Sequence, residues 1–399
     1  MATRVDSIKQ FLNATDINAY IRSFGGQIHS IDDLVQGAKI ITYNDTVYSQ
    51  ILDETQRSLR GLIFKVDPAT DSSSLGEIQV LSLTYPVPYD TVVEVIDLNT
   101  VNLGEGMNMV ITPLYDGILL RVTFINDKWR LSTNNKWNAY ESRWNSGKSF
   151  GELFEEIIPF DKLTESLNKK YVYLFMLCHP ETPVVIKCRF PIVYHVSTID
   201  LATGTELSLG DFDLKDLKDS IVKPMQVLNE VTTFIGLNEI LFTSVMEMYG
   251  YMVKIVSDNK VVSRYRCQSN MYTYIKQIIG KQPIRYEIMN LIRTDAIENW
   301  EERQQIFLRY YPHYIELYCD ILNKMNTLGQ SLYATYVSKY IKKQQTQLPH
   351  VVHDFLFNVL HKTHFKTNKT KITVQLVDEE LHKMPLENYS NLFSFINKE

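Results

Sequence analysis

Cysteine is scarce in this chain: four residues in 399, Cys178, Cys188, Cys267 and Cys319, lie far apart and form no C-x-x-C pair. That spacing excludes a disulfide framework or thiolate zinc site as the first expectation and favours reduced core thiols. Long apolar runs are also missing, and no stretch approaches the ~18 residues that a membrane helix needs. The opening residues, Met1-Ala2-Thr3-Arg4-Val5-Asp6, contain no apolar core of a secretory signal, so an intracellular, cytoplasmic location is expected. There is no P-loop, G-x-G-x-x-G, G-x-S-x-G or H-E-x-x-H, which removes the common signatures of phosphate cradles, serine hydrolases and zinc proteases. A strong charge imbalance is lacking as well. A formal charge of −5 argues against a whole-surface basic binder, though a local basic channel is compatible with it.

What is present is an ordinary folding composition. Hydrophobic residues make up 45% of the chain, enough to bury substantial cores, and the length implies two or more domains. Tyrosine is frequent at 24, and Asn, Ile and Lys are plentiful, a bias that points to an AT-rich, viral genome. Apolar alternation predicts strands around Ile40–Tyr43, at Leu62–Val66 and at Ile78–Leu83, with a polar loop from Asp67 to Gly76. Two further strands, Ile118–Val122 and Trp129–Ser132, flank a turn at Asn126-Asp127. A helix is expected at Ser149–Ile157, and strands at Tyr171–Leu177, Val184–Lys187, Ile192–Val196, Tyr251–Val256 and Val261–Arg266. Another helix is expected at Leu214–Leu228. From about residue 285 the period lengthens: Ile288, Leu291, Phe307, Tyr311, Tyr314, Tyr318 and Ile321 recur every three or four residues and predict long amphipathic helices. A further helix over Val351–Leu360 follows Leu348-Pro349. The chain therefore reads as a mixed body, residues 1–280, and an all-helical part, residues 281–399.

Several short motifs follow one another along the body. Arg60-Gly61-Leu62-Ile63-Phe64 comes first, then Tyr85-Pro86-Val87-Pro88-Tyr89, then Leu114-Tyr115-Asp116-Gly117, and then Leu131-Ser132-Thr133-Asn134-Asn135-Lys136. Phe175-Met176-Leu177, Tyr249-Gly250-Tyr251-Met252 and Arg264-Tyr265-Arg266 complete the series. In order and spacing these segments resemble the phage T4-type, tRNA-repair family of ATP-dependent RNA ligases. The resemblance implies an α+β fold: a nucleotidyltransferase (ligase-type) body with antiparallel sheets, followed by an all-helical C-terminal domain.

The same resemblance implies that the chemistry has been lost. The family opens its adenylation site with a lysine, one spacer and Asp-Gly, and here Leu114 stands at the lysine position. A leucine has no lone pair with which to attack a phosphate. The family's two glutamates correspond to Met176 and Tyr249, and neither side chain offers a carboxylate to a hard cation. Asp116, Gly117 and Gly250 remain as motif remnants. The expectation is thus a pseudoenzyme with no catalytic residue, no metal and no cofactor; ATP and Mg²⁺ enter only if the chain is an active ligase with diverged motifs. Lys128 and Lys136 are the candidates for a relocated nucleophile, and Glu247 for a displaced acid.

Cationic groups survive at the family's last motif. Arg264 and Arg266, with Arg60 and Lys136, are the candidate phosphate- and nucleic-acid-binding residues, because a guanidinium grips phosphate oxygens through two parallel contacts. The alternative is that these side chains are surface groups or partners of internal carboxylates. Expected partners are RNA or another nucleic acid, or the proteins of a viral assembly including the virion, and no membrane. A pure scaffold subunit is a further alternative. His350, His353, His361 and His364 fall on one face of an ideal helix, and a polar face is the simpler account than a metal site. The tyrosines of the helical part, Tyr310 to Tyr340, read as core before they read as base-stacking rings.

Overall fold

The structure, a computed structural model, describes the chain apart from residues 1, 32–34, 45–46, 48–49, 68–76, 92–102, 144–146, 183–184, 186–187, 208–221, 225–236, 238–248, 280–282, 294–299, 346 and 397–399. It divides into two compact units, Met1–Thr273 and Tyr274–Glu399.

The first unit begins with two helices, Arg4–Ala14 and Ile17–Ser23. The first is set by a capping box in which Thr3 Oγ1 accepts from the Asp6 amide and the Asp6 carboxylate accepts from the Thr3 amide. Its apolar stripe, Val5, Ile8 and Leu12, is buried. The sequence patterning predicts no helix in this region, and the structure adds these two. Fourteen strands follow among the described residues: β1 (Gly26–Ser30), β2 (Ala38–Tyr43), β3 (Ile63–Val66), β4 (Ile78–Ser82), β5 (Tyr89–Asp90), β6 (Met107–Leu114), β7 (Ile118–Ile125), β8 (Lys128–Thr133), β9 (Tyr171–Cys178), β10 (Ile192–Asp200), β11 (Glu206–Leu207), β12 (Val222–Pro224), β13 (Gly250–Ser257) and β14 (Lys260–Gln268).

The strands β1-β2-β3-β4 form an antiparallel sheet. The larger sheet runs β6-β13-β14-β11-β10-β9-β7-β8, with β5 parallel to β14 and β12 parallel to β10. Its hairpins close on two-residue turns. Asn126 and Asp127 have φ of 51° and 59°, and Asp258 and Asn259 have 48° and 60°. Such pairs of left-handed residues match the twist of the flanking strands. One core packs the N-terminal helices and the small sheet with Val172, Leu174, Val196 and Ile199 of the large one. A second packs Leu120, Val122, Phe175 and Leu177 with the helices Phe150–Glu155 and Phe160–Glu165.

Two expectations fail here. Val222–Pro224, assigned to a helix over Leu214–Leu228, is a strand beside β10, and the rest of that helix lies outside the described residues. Val185, assigned to a strand over Val184–Lys187, is in a bend, while 184, 186 and 187 lie outside the described residues. The polar loop after Asp67 and Glu247 lie outside them too. Val185 is irregular because its amide donates to the Asp116 carboxylate, 2.7 Å away, instead of to a ladder.

The second unit is helical among its described residues, with helices Ile284–Ile292, Trp300–Tyr310, Ile315–Tyr336, Val374–Lys383 and Leu386–Ile396. Tyr311, Tyr318 and Tyr336 are buried core residues. The helix after Pro349 starts as α at His350–Asp354 and continues as a π-helix over Phe355–Thr367. A π turn is wider than an α turn, so the four histidines do not share a face. His350 pairs with Asp354 and His364 with Glu380, while His361 meets the Tyr336 hydroxyl.

Candidate functional site

Several of the segments singled out from the sequence converge at one end of the large sheet. β13 lies between β6 and β14, with Gly250 opposite Leu114 on one side and Gln268 on the other. β9 brings Met176 beside Leu119 of β7 and Tyr194 of β10. Strand pairing thus places residues 114, 250, 264 and 266 on three neighbouring strands, although up to 152 positions separate them in sequence, while Met176 lies on β9, beyond β11 and β10.

The glycines make this approach possible. A Cβ on Gly117 would lie 2.5 Å from the Leu177 carbonyl oxygen, and one on Gly250, whose φ is 149°, would lie 2.0 Å from that of Cys267. Side chains fill the surrounding space. Tyr115 stacks on Tyr194 with ring centres 3.9 Å apart, and Tyr249 stacks on Tyr272 at 4.0 Å. Burial raises the phenol pKa of Tyr249. Tyr115, Leu119, Met176 and Tyr194 pack against the first core. Asp116 serves as a clamp: one oxygen accepts from the Val185 amide at 2.7 Å and the other from the Tyr272 hydroxyl at 3.3 Å.

Strand alternation puts Met252 and Lys254 of β13 on the same face as Arg264 and Arg266 of β14. The cations there have internal partners. Arg264 donates to Glu206 and lies over the Tyr85 ring, 3.9 Å from its centre. Lys254 Nζ is 3.3 Å from the same carboxylate and donates to the Val196 carbonyl at 3.2 Å. Arg266 Nε donates to Asp90 at 2.9 Å, and Gln268 donates to the same oxygen at 3.2 Å.

Glu206, Lys254 and Arg264 are each at most 5% exposed, so their charges act through little water. Burial pushes the Glu206 pKa up, but Arg264 and Lys254 outweigh it and hold the group at about 2. Burial and the repulsion of Arg264 lower Lys254 to about 8, against the pull of Glu206. Burial and Lys254 together push His195 down to about 4. Two nitrogens of Arg264, Nε and Nη1, have no hydrogen-bond partner among the described residues.

The other two candidate cations form a separate group. Arg60 ends the helix Glu54–Leu59 and is half-buried; the neighbouring Arg121 is lowered to about 9 by its own burial and, secondly, by the Arg60 charge. Gly61 packs against Asn134, which brings Arg60 close to the turn that carries the exposed Lys136. The four cations named from sequence are therefore arranged as two pairs. Sequence reading missed Glu206 and Asp90, which sit 58 and 176 positions from their arginines. Lys254 left a faint trace, as the one charge in the apolar run Gly250–Val256.

Elsewhere, Glu156, His179 and Glu181 place ligand atoms within 4.8 Å of one another, but Lys148 already pairs with both glutamates. Among the described residues no helix is long and apolar enough to cross a membrane.

The architecture is a mixed α and β body with antiparallel sheets, followed among the described residues by a helical C-terminal region, and the solved structures similar to it include RNA ligases. An archaeal ATP-dependent RNA ligase (form 1) is similar with a TM-score of 0.44 and 9% identity, over 77% of this chain and 78% of that one. An RNA ligase of Naegleria gruberi is similar with a TM-score of 0.34 and 15% identity, over 42% and 52%. Among individual proteins, the Immediate-early protein ICP-46 homolog of Invertebrate iridescent virus 3 is 24% identical over 242 residues, 59% of this chain and 50% of that protein. The Immediate-early protein ICP-46 homolog of Invertebrate iridescent virus 6 is 30% identical over 136 residues, 29% and 30% of the two chains. The matches thus span half or less of the curated relatives' length. Residues 7–50 match the family described as DUF211, Uncharacterized ArCR.

Proposed function

We propose that this chain is a catalytically silent, RNA-ligase-like viral protein that works as an assembly or nucleic-acid-binding module, in the cytoplasm or with the virion. The observation that carries this reading is Leu114 at the end of β6, an aliphatic side chain one residue ahead of Asp116-Gly117 and opposite Gly250. Lys254 shares that face of β13 but lies four residues beyond Gly250, ~13 Å along the strand, and is held by Glu206 and Val196. The residues do not fit a nucleotide-bound hard cation. Met176 and Tyr249 carry no carboxylate, and both oxygens of Asp116 are already engaged. The iridescent virus relatives support the viral setting.

The internal pairing of Arg264 and Arg266 with Glu206 and Asp90 favours assembly over phosphate capture in the cleft. The two unpartnered nitrogens of Arg264 favour the second reading, a residual anion site. Incubation with α-labelled ATP and Mg²⁺ tests the silent state: no covalent label is expected, and an AMP adduct overturns it. Leu114→Lys is also expected to stay unlabelled, because the acidic positions remain Met176 and Tyr249. For the anion site, Arg264→Ala with Arg266→Ala should lower RNA affinity uniformly across sequences, and unchanged affinity rejects it.

A further inference from the structure

The segment from Val337 to Thr373 holds seven lysines and a single acid, Asp354, for a formal charge of +6 in a chain whose total is −5. The remaining residues therefore sum to −11, so positive charge is concentrated here. Within this segment the helix from His350 to Thr367 turns Val352, Phe355, Leu356 and Leu360 into the core.

A second set of rings lines another side of the same helix. His353 stacks on Phe357 with centres 5.6 Å apart, Phe357 on His361 at 6.1 Å, and His361 on Phe365 at 5.4 Å. Tyr340, from the end of the preceding helical run, stacks on His361 at 4.5 Å. These rings are half-buried or exposed, and Phe365 is 45% exposed. Lys362, Lys366, Lys369 and Lys371 are all exposed, and Lys366 lies near enough to His361 to lower its pKa further after burial has done so. The neighbouring acids are already paired, Asp354 with His350 at 3.0 Å and Glu380 with Lys383 at 2.6 Å.

We infer that this ladder, His353, Phe357, His361 and Phe365 with Tyr340, edged by the four lysines, is a platform for single-stranded nucleic acid. The exposed Phe365 ring at the end of the ladder offers an unpaired base a stacking surface whatever its sequence, and the lysines beside it take the phosphates. A duplex keeps its bases stacked on one another and offers the rings nothing. A neutral or basic protein partner would leave the lysines unmatched. The inference rests on the nucleic-acid-binding side of the proposed function and moves the contact from the old cleft to the C-terminal unit.

The test uses the full chain with fluorescein-labelled oligouridine and oligothymidine of about 20 nucleotides, followed by anisotropy between about 50 and 200 mM NaCl. Phe365→Ala, a change at an exposed ring, should weaken binding about tenfold. Replacing Lys362, Lys366, Lys369 and Lys371 by glutamine should flatten the slope of log affinity against log salt by about 3, at ~0.7 per phosphate contact. Wild-type binding in both variants overturns the inference, as does equal competition by a duplex of the same length. Adsorption to phosphatidylserine vesicles without oligonucleotide binding overturns it in favour of a membrane surface. Loss of binding only in the Arg264→Ala, Arg266→Ala chain returns the contact to the cleft. If no oligonucleotide binds any form, the platform falls, while the silent-enzyme reading still stands or falls with the adenylation assay.

Discussion

Glu206→Gln removes a buried negative charge from between two buried cations with almost no change of shape. Lys254 Nζ is 3.3 Å from the carboxylate, and Arg264 donates to the same oxygen. At an effective dielectric of about 20, one unit pair at that distance is worth ~5 kcal/mol before desolvation is subtracted. Removing one member of a buried pair typically costs 3–5 kcal/mol, because the charge left behind keeps its desolvation penalty. For a body of this size such a loss lowers the melting temperature by roughly 10 °C. Thermal unfolding followed by circular dichroism measures it. Lys254 titrates at about 8 with Glu206 in place, and without that carboxylate it should lose its proton still more readily. Raising the pH from about 7 to 9.5 should therefore restore part of the stability of the variant. Adding Lys254→Met should restore part of it at neutral pH. A loss below about 1 kcal/mol, or one that pH and the second substitution leave untouched, refutes the argument.

Other expectations follow from the same geometry. Gly250→Ala should destabilise the body by several kcal/mol or abolish soluble expression, since its Cβ would meet the Cys267 carbonyl at 2.0 Å; a normal melt disproves the close approach. Asp116→Ala should cost about 1–3 kcal/mol by stranding the Val185 amide, whereas Tyr272→Phe, which loses the longer contact, should cost about 1 kcal/mol or less. A melting series from neutral to acid pH should show stability falling in two windows. The folded pKa of His195 is lowered from 6.5 to about 4, so the unfolded chain binds the proton first and stability drops as pH falls across that interval. Glu206, lowered from 4.5 to about 2, acts with the same sign over the next interval. A flat profile from pH 6.5 to 4 refutes the buried neutral His195.

Local patterning made much of the body legible. The Asn126-Asp127 turn, the alternation on both sides of it and the wholly apolar run Tyr171–Cys178 each state their structure within about ten residues. The N-terminal helix has a signal as well, a threonine three residues ahead of Asp6, weakened by Asp in place of the commoner Glu. Val222–Pro224 departs from the expected helix because it pairs with β10, a partner that local patterning does not show. The π winding after Asp354 likewise broke a histidine periodicity that assumed an α-helix.

By itself the sequence determined which chemical groups are missing: no amine at 114 and no carboxylate at 176 or 249, facts that no folding can alter. Only the tertiary structure decided what the remaining cations do. Arg264 and Arg266 look alike in the sequence, as two guanidiniums on one strand face. Their partners, Glu206 and Asp90, reach them through strand pairing across 58 and 176 positions. Charge pairing depends on distance in space, and in this sheet that distance is set by strand order and not by sequence separation.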